Sequence, residues 1–380
     1  MSKLKAEIKT ERVLKALKHD MPDRMPKTDA FWRLFVEKWQ KEKNTTQDIY
    51  EYYDMDVVFQ FPNIEPIIQH KVTLEKTDEY EIYQTGFGYK IKQKYDCVMP
   101  QFLEPMLKSA DDYEKFMFDD PEDSRRFNEF RDDLINLGDW NLASDSFLES
   151  IEKYGKNFCV FGGTCDPFEY IWRMRGTEGL LLDLALCPEE VEKFIARVTD
   201  FNIKNCLKQI ELGGVKGFFM AGDLAYDKGM FFSPDLWRKI FAPHVKRMIN
   251  AIHEKGAAVI YHSCGNPRAV VGDLIDCGID CLHPLEVKAG LDVVEFRKTY
   301  RNKLAYYGGI DVRILEHGTK EDVEKEVMRK LNAAKNGGYI MASDHSVTGD
   351  SKVENYDCMI ELINKYGTYP MNLGEFDEEI

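Results

Sequence analysis

Eight short apolar runs recur along this chain with helix-like segments between them, and that alternation restricts the available folds more than any other feature. The runs are MPKT at 25–28, DVVFQF at 56–61, FCVFGG at 158–163 and GFFMAG at 217–222. AAVIYHS at 257–263, CLHPL at 281–285, LAYYGGI at 304–310 and GYIMAS at 338–343 complete the set. The later runs are continuously apolar rather than alternating, as strands covered on both faces must be. Helix starts lie between them. Ser233-Pro234-Asp235 offers a serine cap with proline in the first turn. Pro188-Glu189-Glu190 opens another helix, and Thr319 with Asp322 resembles a capping box ahead of VEKEVMRKL. Strands and helices alternating in this number predict an α/β chain folded as a single (β/α)8 TIM-like barrel. A doubly wound open sheet is the competitor, but no strand is followed by GxGxxG.

Two segments lie outside the alternation. AEIKTERVLKALKHD has apolar residues at helical spacing and stops at MPDRMP, where Pro22 and Pro26 interrupt any helix. The interval 62–157 is too long for one connection. Within it, VTLEKTDEYEIYQTGFGYKIKQKY alternates around Thr85-Gly86-Phe87-Gly88, which predicts an antiparallel hairpin, and SADDYEKFMF predicts a helix. We read residues 1–380 as one barrel domain, with 62–157 as an excursion covering the barrel mouth.

Charge and apolar run length narrow the function classes. Aspartate and glutamate number 66 against 51 lysines and arginines, a formal charge of -15, whereas a nucleic-acid binder carries a basic field. No apolar run approaches a membrane helix, and MSKLKAEIKTERVLKALKHDMP has no signal-peptide core, so neither nucleic acid nor membrane is expected as a partner. The expected location is cytoplasmic, with the nine cysteines reduced.

In a barrel, side chains after the carboxyl ends of the strands converge on one site. Those positions here hold Asp223, then His262, Cys264 and Asn266, then His283 and Glu286, then Gly308, Gly309 and Asp311, then His345. Zinc takes nitrogen and thiolate donors, about four in all, so His262-x-Cys264 is half a site. His345 is the natural third ligand, and Asp223, Glu286, water or substrate the fourth. The bland alternative has His262 bonded locally and Cys264 packed as a small apolar group. Asp223 and Glu286 also suit acid–base work or orientation of a ligand histidine, and Asn266 can bond a substrate group. Gly308 and Gly309 allow close approach of a bulky ligand, whereas Asp311 also fits a first helical turn. His283, fixed by the following proline, reads less like a ligand.

With these residues in hand, the chain resembles the uroporphyrinogen decarboxylase superfamily, and within it the cobalamin-dependent methyltransferase side. The likeness runs through ERVLKALKHDMPDRMP, FFSPDLWRKIFAPHVKRMINAIHEKGAAVIYHSCGN, DLIDCGIDCLHPLE, YYGGID, GGYIMASDHS and NYDCMIELINKYG. It implies a β/α barrel and zinc held by His262, Cys264 and a third residue, with His345 standing where that branch has a cysteine. It also implies methyl transfer between a methylcorrinoid (cobalamin) supplied by a partner protein and a small thiol or related acceptor, and it allows a homodimer. Catalytic roles then fall to Asp223, Glu286 and Asn266, with Gly308, Gly309 and Asp311 toward the corrinoid. The decarboxylase branch is the alternative reading, with a cleft for an octa-acidic tetrapyrrole. The matching loops here, PKTDAFWRLF and FQFPNIEP, offer Arg33 but no arginine-rich signature. A metal-free ligand-binding barrel is the third reading, since fold does not fix function.

Overall fold

A computed structural model describes residues 4–97, 100–129 and 145–377. In chain order the strands are β1 (Val57–Phe59), β2 (Val72–Lys76), β3 (Tyr80–Gln84), β4 (Lys90–Lys94), β5 (Gln101–Glu104), β6 (Cys159–Cys165) and β7 (Gly217–Ala221). They continue with β8 (Ala225–Tyr226), β9 (Gly229–Met230), β10 (Ala258–His262), β11 (Cys281–His283), β12 (Ala305–Tyr307) and β13 (Tyr339–Ile340). Seven of these form one parallel sheet in the order β1-β6-β7-β10-β11-β12-β13, each following its neighbour in the barrel sense.

The eighth run, 25–28, lies in the gap between the two ends of that sheet. Lys27 bridges Met341 in parallel, with Thr28 N–H donating to Met341 O at 3.2 Å and Met341 N–H to Pro26 O at 2.9 Å. On its other side, Asp56 N–H donates to Lys27 O at 2.8 Å and Thr28 Oγ1 to Val57 O at 2.6 Å. The sheet is therefore curled into a distorted barrel whose seam is a single short segment, too sparsely paired to count as a regular strand.

Alternate residues of the curled sheet meet inside it. Val57, Cys159, Phe161, Ile260, Cys281, Ala305, Tyr307 and Ile340 form one buried cluster, and Val13 and Leu17 of the opening helix Lys5–Leu17 pack into it. Arg12 of that helix fixes the arrangement by bonding Asp56 Oδ1 at 2.5 Å and Asp23 Oδ2 at 2.6 Å. The outer face packs on helices that begin where the caps predict. Ser233 Oγ accepts from Leu236 N ahead of Pro234–Ile240, and Thr319 and Asp322 cap Lys320–Ala334 reciprocally. Pro188 opens the long helix Pro188–Gly213.

The predicted hairpin is β3 and β4, with Gly88 N–H closing the turn onto Thr85 O at 2.8 Å. It belongs to a larger unit, because β2 and β5 extend it to a four-stranded antiparallel sheet. The helix expected from SADDYEKFMF is the short Asp111–Lys115. The sheet docks on the helix Pro167–Arg175, which follows β6, through Phe87 on Tyr170 and Phe102 on Trp172, ring centroids 5.2 and 5.5 Å apart. Among the described residues, no helix is long and apolar enough to cross a membrane.

Candidate metal centre

His262 is the last residue of β10, and its ring sits among aromatic neighbours at the inner end of the barrel. Phe219 lies 5.1 Å from His262 and 5.2 Å from His283, ring centre to ring centre. Tyr307 stacks on His283 at 4.1 Å, and Phe59 touches both Tyr307 and Phe219 at 5.8 and 5.1 Å. These rings, from four strands, line the floor of the polar cluster. His262 Nδ1 meets His283 Nδ1 at 2.7 Å, which leaves His262 Nε2 directed away from the floor.

Two further donors gather at that nitrogen, and a third reaches one of them. Cys264 Sγ is 3.1 Å from His262 Nε2 and 3.4 Å from His345 Nε2, and Asp223 Oδ1 is 3.2 Å from His262 Nε2. Asp223, His262 and Cys264 bring ligand atoms within 4.8 Å of one another, and His345 joins the group through the thiol. Donors on the edges of a tetrahedral zinc site lie about 3.5 Å apart, given metal–ligand bonds of about 2.0 to 2.3 Å. The spacing fits a metal of that size.

The electrostatics fit as well. Burial, followed by the carboxylates Asp223, Glu286 and Glu169, pushes the Cys264 thiol well above its ordinary value. A thiolate there needs a compensating cation, which a divalent metal supplies. Burial and the nearby His262 lower His345, and burial with the two other histidines lowers His283 much further. Both rings are therefore neutral near pH 7, the form in which imidazole binds metal. Burial opposes ionisation of Asp223, but His262, the Cys264 N–H and Arg173 outweigh it and hold the carboxyl at about 2.

Hydrogen bonds from neighbouring loops fix the donors. Asp223 Oδ1 accepts from Cys264 N–H at 3.1 Å, and Asp223 N–H donates to Glu169 Oε2 at 3.3 Å. Glu169 is itself held by Arg173 Nε at 2.8 Å and Trp172 Nε1 at 2.7 Å. Glu286 Oε2 takes Gly265 N–H at 2.7 Å and Oε1 pairs with Lys288 at 2.8 Å, so this carboxylate braces the turn after Cys264. Gly265 has φ +72°, and a Cβ there would fall 2.6 Å from the backbone of Tyr226, so only glycine lets the β8–β9 hairpin lie flush on the turn.

The remaining expected residues lie at the same end of the barrel with other partners. Asn266 Nδ2 donates to Ala289 O at 3.3 Å and its Oδ1 accepts from Arg268 N at 3.2 Å. Asp311 caps the helix Val312–His317 and pairs with Arg313 at 2.7 Å. Gly308 and Gly309 both have positive φ, and a Cβ on Gly308 would fall 2.3 Å from Pro284 O. The structure thus gathers Asp223, His262 and Cys264 at one point, with His345 against the Cys264 thiol, braces the turn with Glu286, and sets Asn266, Gly308, Gly309 and Asp311 in the loops around them.

Comparison with known proteins agrees with this architecture. The family model described as uroporphyrinogen decarboxylase (URO-D) matches residues 82–366. The chain belongs to the URO-D family. Among its relatives is the methylcobamide:CoM methyltransferase MtbA of Methanosarcina acetivorans, 23% identical over 303 residues, covering 78% of this chain and 79% of the relative. MtbA of Methanosarcina mazei is 24% identical over 216 residues, covering 57% of this chain and 60% of that protein. A solved methyltransferase structure from Methanosarcina mazei superimposes with a TM-score of 0.64 at 15% identity, covering 94% of this chain and 98% of that one, a likeness of fold.

Within this URO-D barrel, the sequence pattern does not single out Glu169 and Arg173. His283, read as less like a ligand, stacks on Tyr307 and is the ring that His262 bonds. Glu169 and Arg173 have a legible signal. They stand four apart just inside a helix opened by Asp166-Pro167, the spacing of an intrahelical ion pair.

Proposed function

We propose that this URO-D protein is a zinc-dependent methyltransferase moving a methyl group between a methylcorrinoid protein and a small thiol or related acceptor. The observation that carries the reading is the Cys264 thiol set between His262 Nε2 and His345 Nε2 at the carboxyl ends of the strands. The relatives named for methyl transfer between methylcobamide and CoM support it. His262, Cys264 and His345 would hold the zinc, with Asp223 beside them as fourth ligand or charge partner. Zinc there would supply a Lewis acid that favours the thiolate form of a bound thiol.

The chain's own residues divide the remaining work. His283 holds the His262 ring through its Nδ1, and the Phe59, Phe219 and Tyr307 rings pack beneath it. Asp223 stays ionised, fixes the Cys264 backbone and offsets positive charge. Glu286 sets the turn that carries Cys264 and Asn266. Asn266, on that turn, shapes the acceptor side. Gly308, Gly309 and Asp311, at the end of β12, are the positions we assign to the corrinoid side. In this reading 1–380 is one barrel unit, 62–157 stands beside its mouth, and the carrier protein docks on that mouth.

Tetrapyrrole decarboxylation is disfavoured by how charged groups are used. The carboxylate after β1, Glu65, is buried and accepts from Thr85 Oγ1 at 2.6 Å and Gly86 N at 2.7 Å. Arg126 is spent on the carbonyls of Asn63, Glu65 and Asp120, and Arg33 lies on an exposed helix face 3.7 Å from Glu37. An octa-acid requires compensating cations, and Arg126 is already engaged by these carbonyls.

The test is zinc stoichiometry of the full chain and of His262→Ala, Cys264→Ala and His345→Ala, followed by methyl transfer from methylcobalamin to a thiol. Near one zinc per chain, lost in each variant, together with thiol methylation, is the expected result. Porphyrinogen decarboxylation without zinc would replace the reading, and neither metal nor turnover would leave the metal-free binding barrel.

A further inference from the structure

His345 follows β13, which is only two residues long, and pairing beyond it is a single bridge of Ser343 to Ile310, with Ile310 N–H donating to Ala342 O at 3.1 Å and Asp344 N–H to Ile310 O at 2.6 Å. On its other flank the segment is tied to the residues just after the barrel seam. Val347 N–H donates to Ala30 O at 2.8 Å, and Trp32 N–H donates to Val347 O at 3.1 Å. Between these bonds and the seam lies Asp29, a buried carboxyl. Asp29 Oδ2 accepts from the Tyr356 hydroxyl at 3.1 Å, and Ser343 N–H approaches both carboxyl oxygens at 3.3 Å. Asp29 Oδ1 also touches Ser343 Oγ, and Ser343 Oγ touches the carbonyl of His345.

Proton counting decides the direction of that chain. A hydroxyl has one proton to give, and a backbone carbonyl can only accept. Ser343 therefore donates to His345 O, and the contact between Asp29 Oδ1 and Ser343 Oγ needs a proton from Asp29. Burial independently favours this form, raising the Asp29 carboxyl to about 7 despite the Ser343 and Tyr356 bonds that lower it.

We propose that Asp29, as a carboxylic acid, is a positioning residue for the metal ligand His345, acting through the Ser343 hydroxyl across the seam that closes the barrel. The inference rests on the metal reading above. It gives the first and last segments of the sheet a shared role, since the seam is thinly paired and the loop it anchors carries one of the donors.

The test measures zinc affinity by chelator competition, and the electronic spectrum of the cobalt(II)-substituted full chain, which reports ligand geometry. Asp29→Ala and Ser343→Ala should each weaken zinc about 10- to 100-fold, the range for partners that orient a ligand, and shift the cobalt bands. The double variant should be little worse than either single one, because both break the same relay. Asp29→Asn, whose amide can donate to Ser343 and accept from Tyr356, should remain within about 3-fold of wild type. Should Asp29→Ala not fold, Ser343→Ala carries the test. Unchanged affinity and spectrum in Ser343→Ala would overturn the proposal, as would an Asp29→Asn protein as impaired as Asp29→Ala. Wild-type protein that takes up neither zinc nor cobalt would overturn the metal reading itself, and this inference with it.

Discussion

The two sides of the donor cluster are built in opposite ways. His262 and Cys264 stand at the end of β10, a strand paired on both sides, and the His262 ring is pressed between Phe219 and His283. His345 stands beyond a two-residue strand at the seam and depends on residues more than 300 positions away in the chain, such as Asp29 at a separation of 314 from Ser343. One side is fixed by a ladder and ring packing, the other by one bridge to Ile310 and a few hydrogen bonds across the seam. Each side should feel the loss of a single brace, the ladder side through the ring of His262 and the seam side through the backbone of His345.

The comparison breaks most severely at the shared thiol. Cys264→Ala removes the atom that both histidines approach, and zinc affinity should fall by more than about a hundredfold, since structural zinc sites gain about 10 to 16 kcal/mol from some four ligands. Equilibrium dialysis would show it, and near-wild-type zinc content would dissolve the cluster as a metal centre. Next comes the ladder side's own brace. His283→Ala should lower zinc affinity about 10- to 100-fold while leaving the protein folded by circular dichroism. An unchanged affinity would mean that the ring stack, not the His262–His283 bond, orients the ligand.

A buried acid on the ladder side offers a pH test. Asp166 caps the helix Pro167–Arg175, accepts from Tyr261 Oη at 2.5 Å, and is raised by burial to about 7. The folded state therefore holds a proton that the unfolded chain releases near pH 4, so stability falls as pH rises from about 4 to about 7 and is level above that. Asp166→Asn keeps the cap and removes the titration. Its stability relative to wild type, read from urea melts, should climb by on the order of a few kcal/mol between pH 4.5 and 8. A flat difference would show that Asp166 is ionised in the folded protein. The smallest effect is expected away from the cluster: Thr319→Ala should cost about 1 kcal/mol of stability through the lost cap and leave zinc affinity unchanged.

Much of the fold can be read from the residues because local chemistry carries it. Continuous apolar runs, Ser233 and Thr319 as caps, and Pro188 at a helix start are decided within a few positions of themselves. His262-x-Cys264 is legible for the same reason, since both donors share one strand end. The excursion reads as a hairpin because its turn is local, whereas β2 and β5 join it by pairing whose extent no turn announces.

Alternation and caps in the sequence alone therefore determined the barrel, its helices and the end at which polar residues collect. The tertiary structure decided which of those residues meet. It set His345 against Cys264, put His283 behind His262, used Asp311 as a cap and spent Glu65 on the excursion. Such choices depend on closing a curled sheet and on which buried proton each hydroxyl can share, and neither quantity is local in the chain.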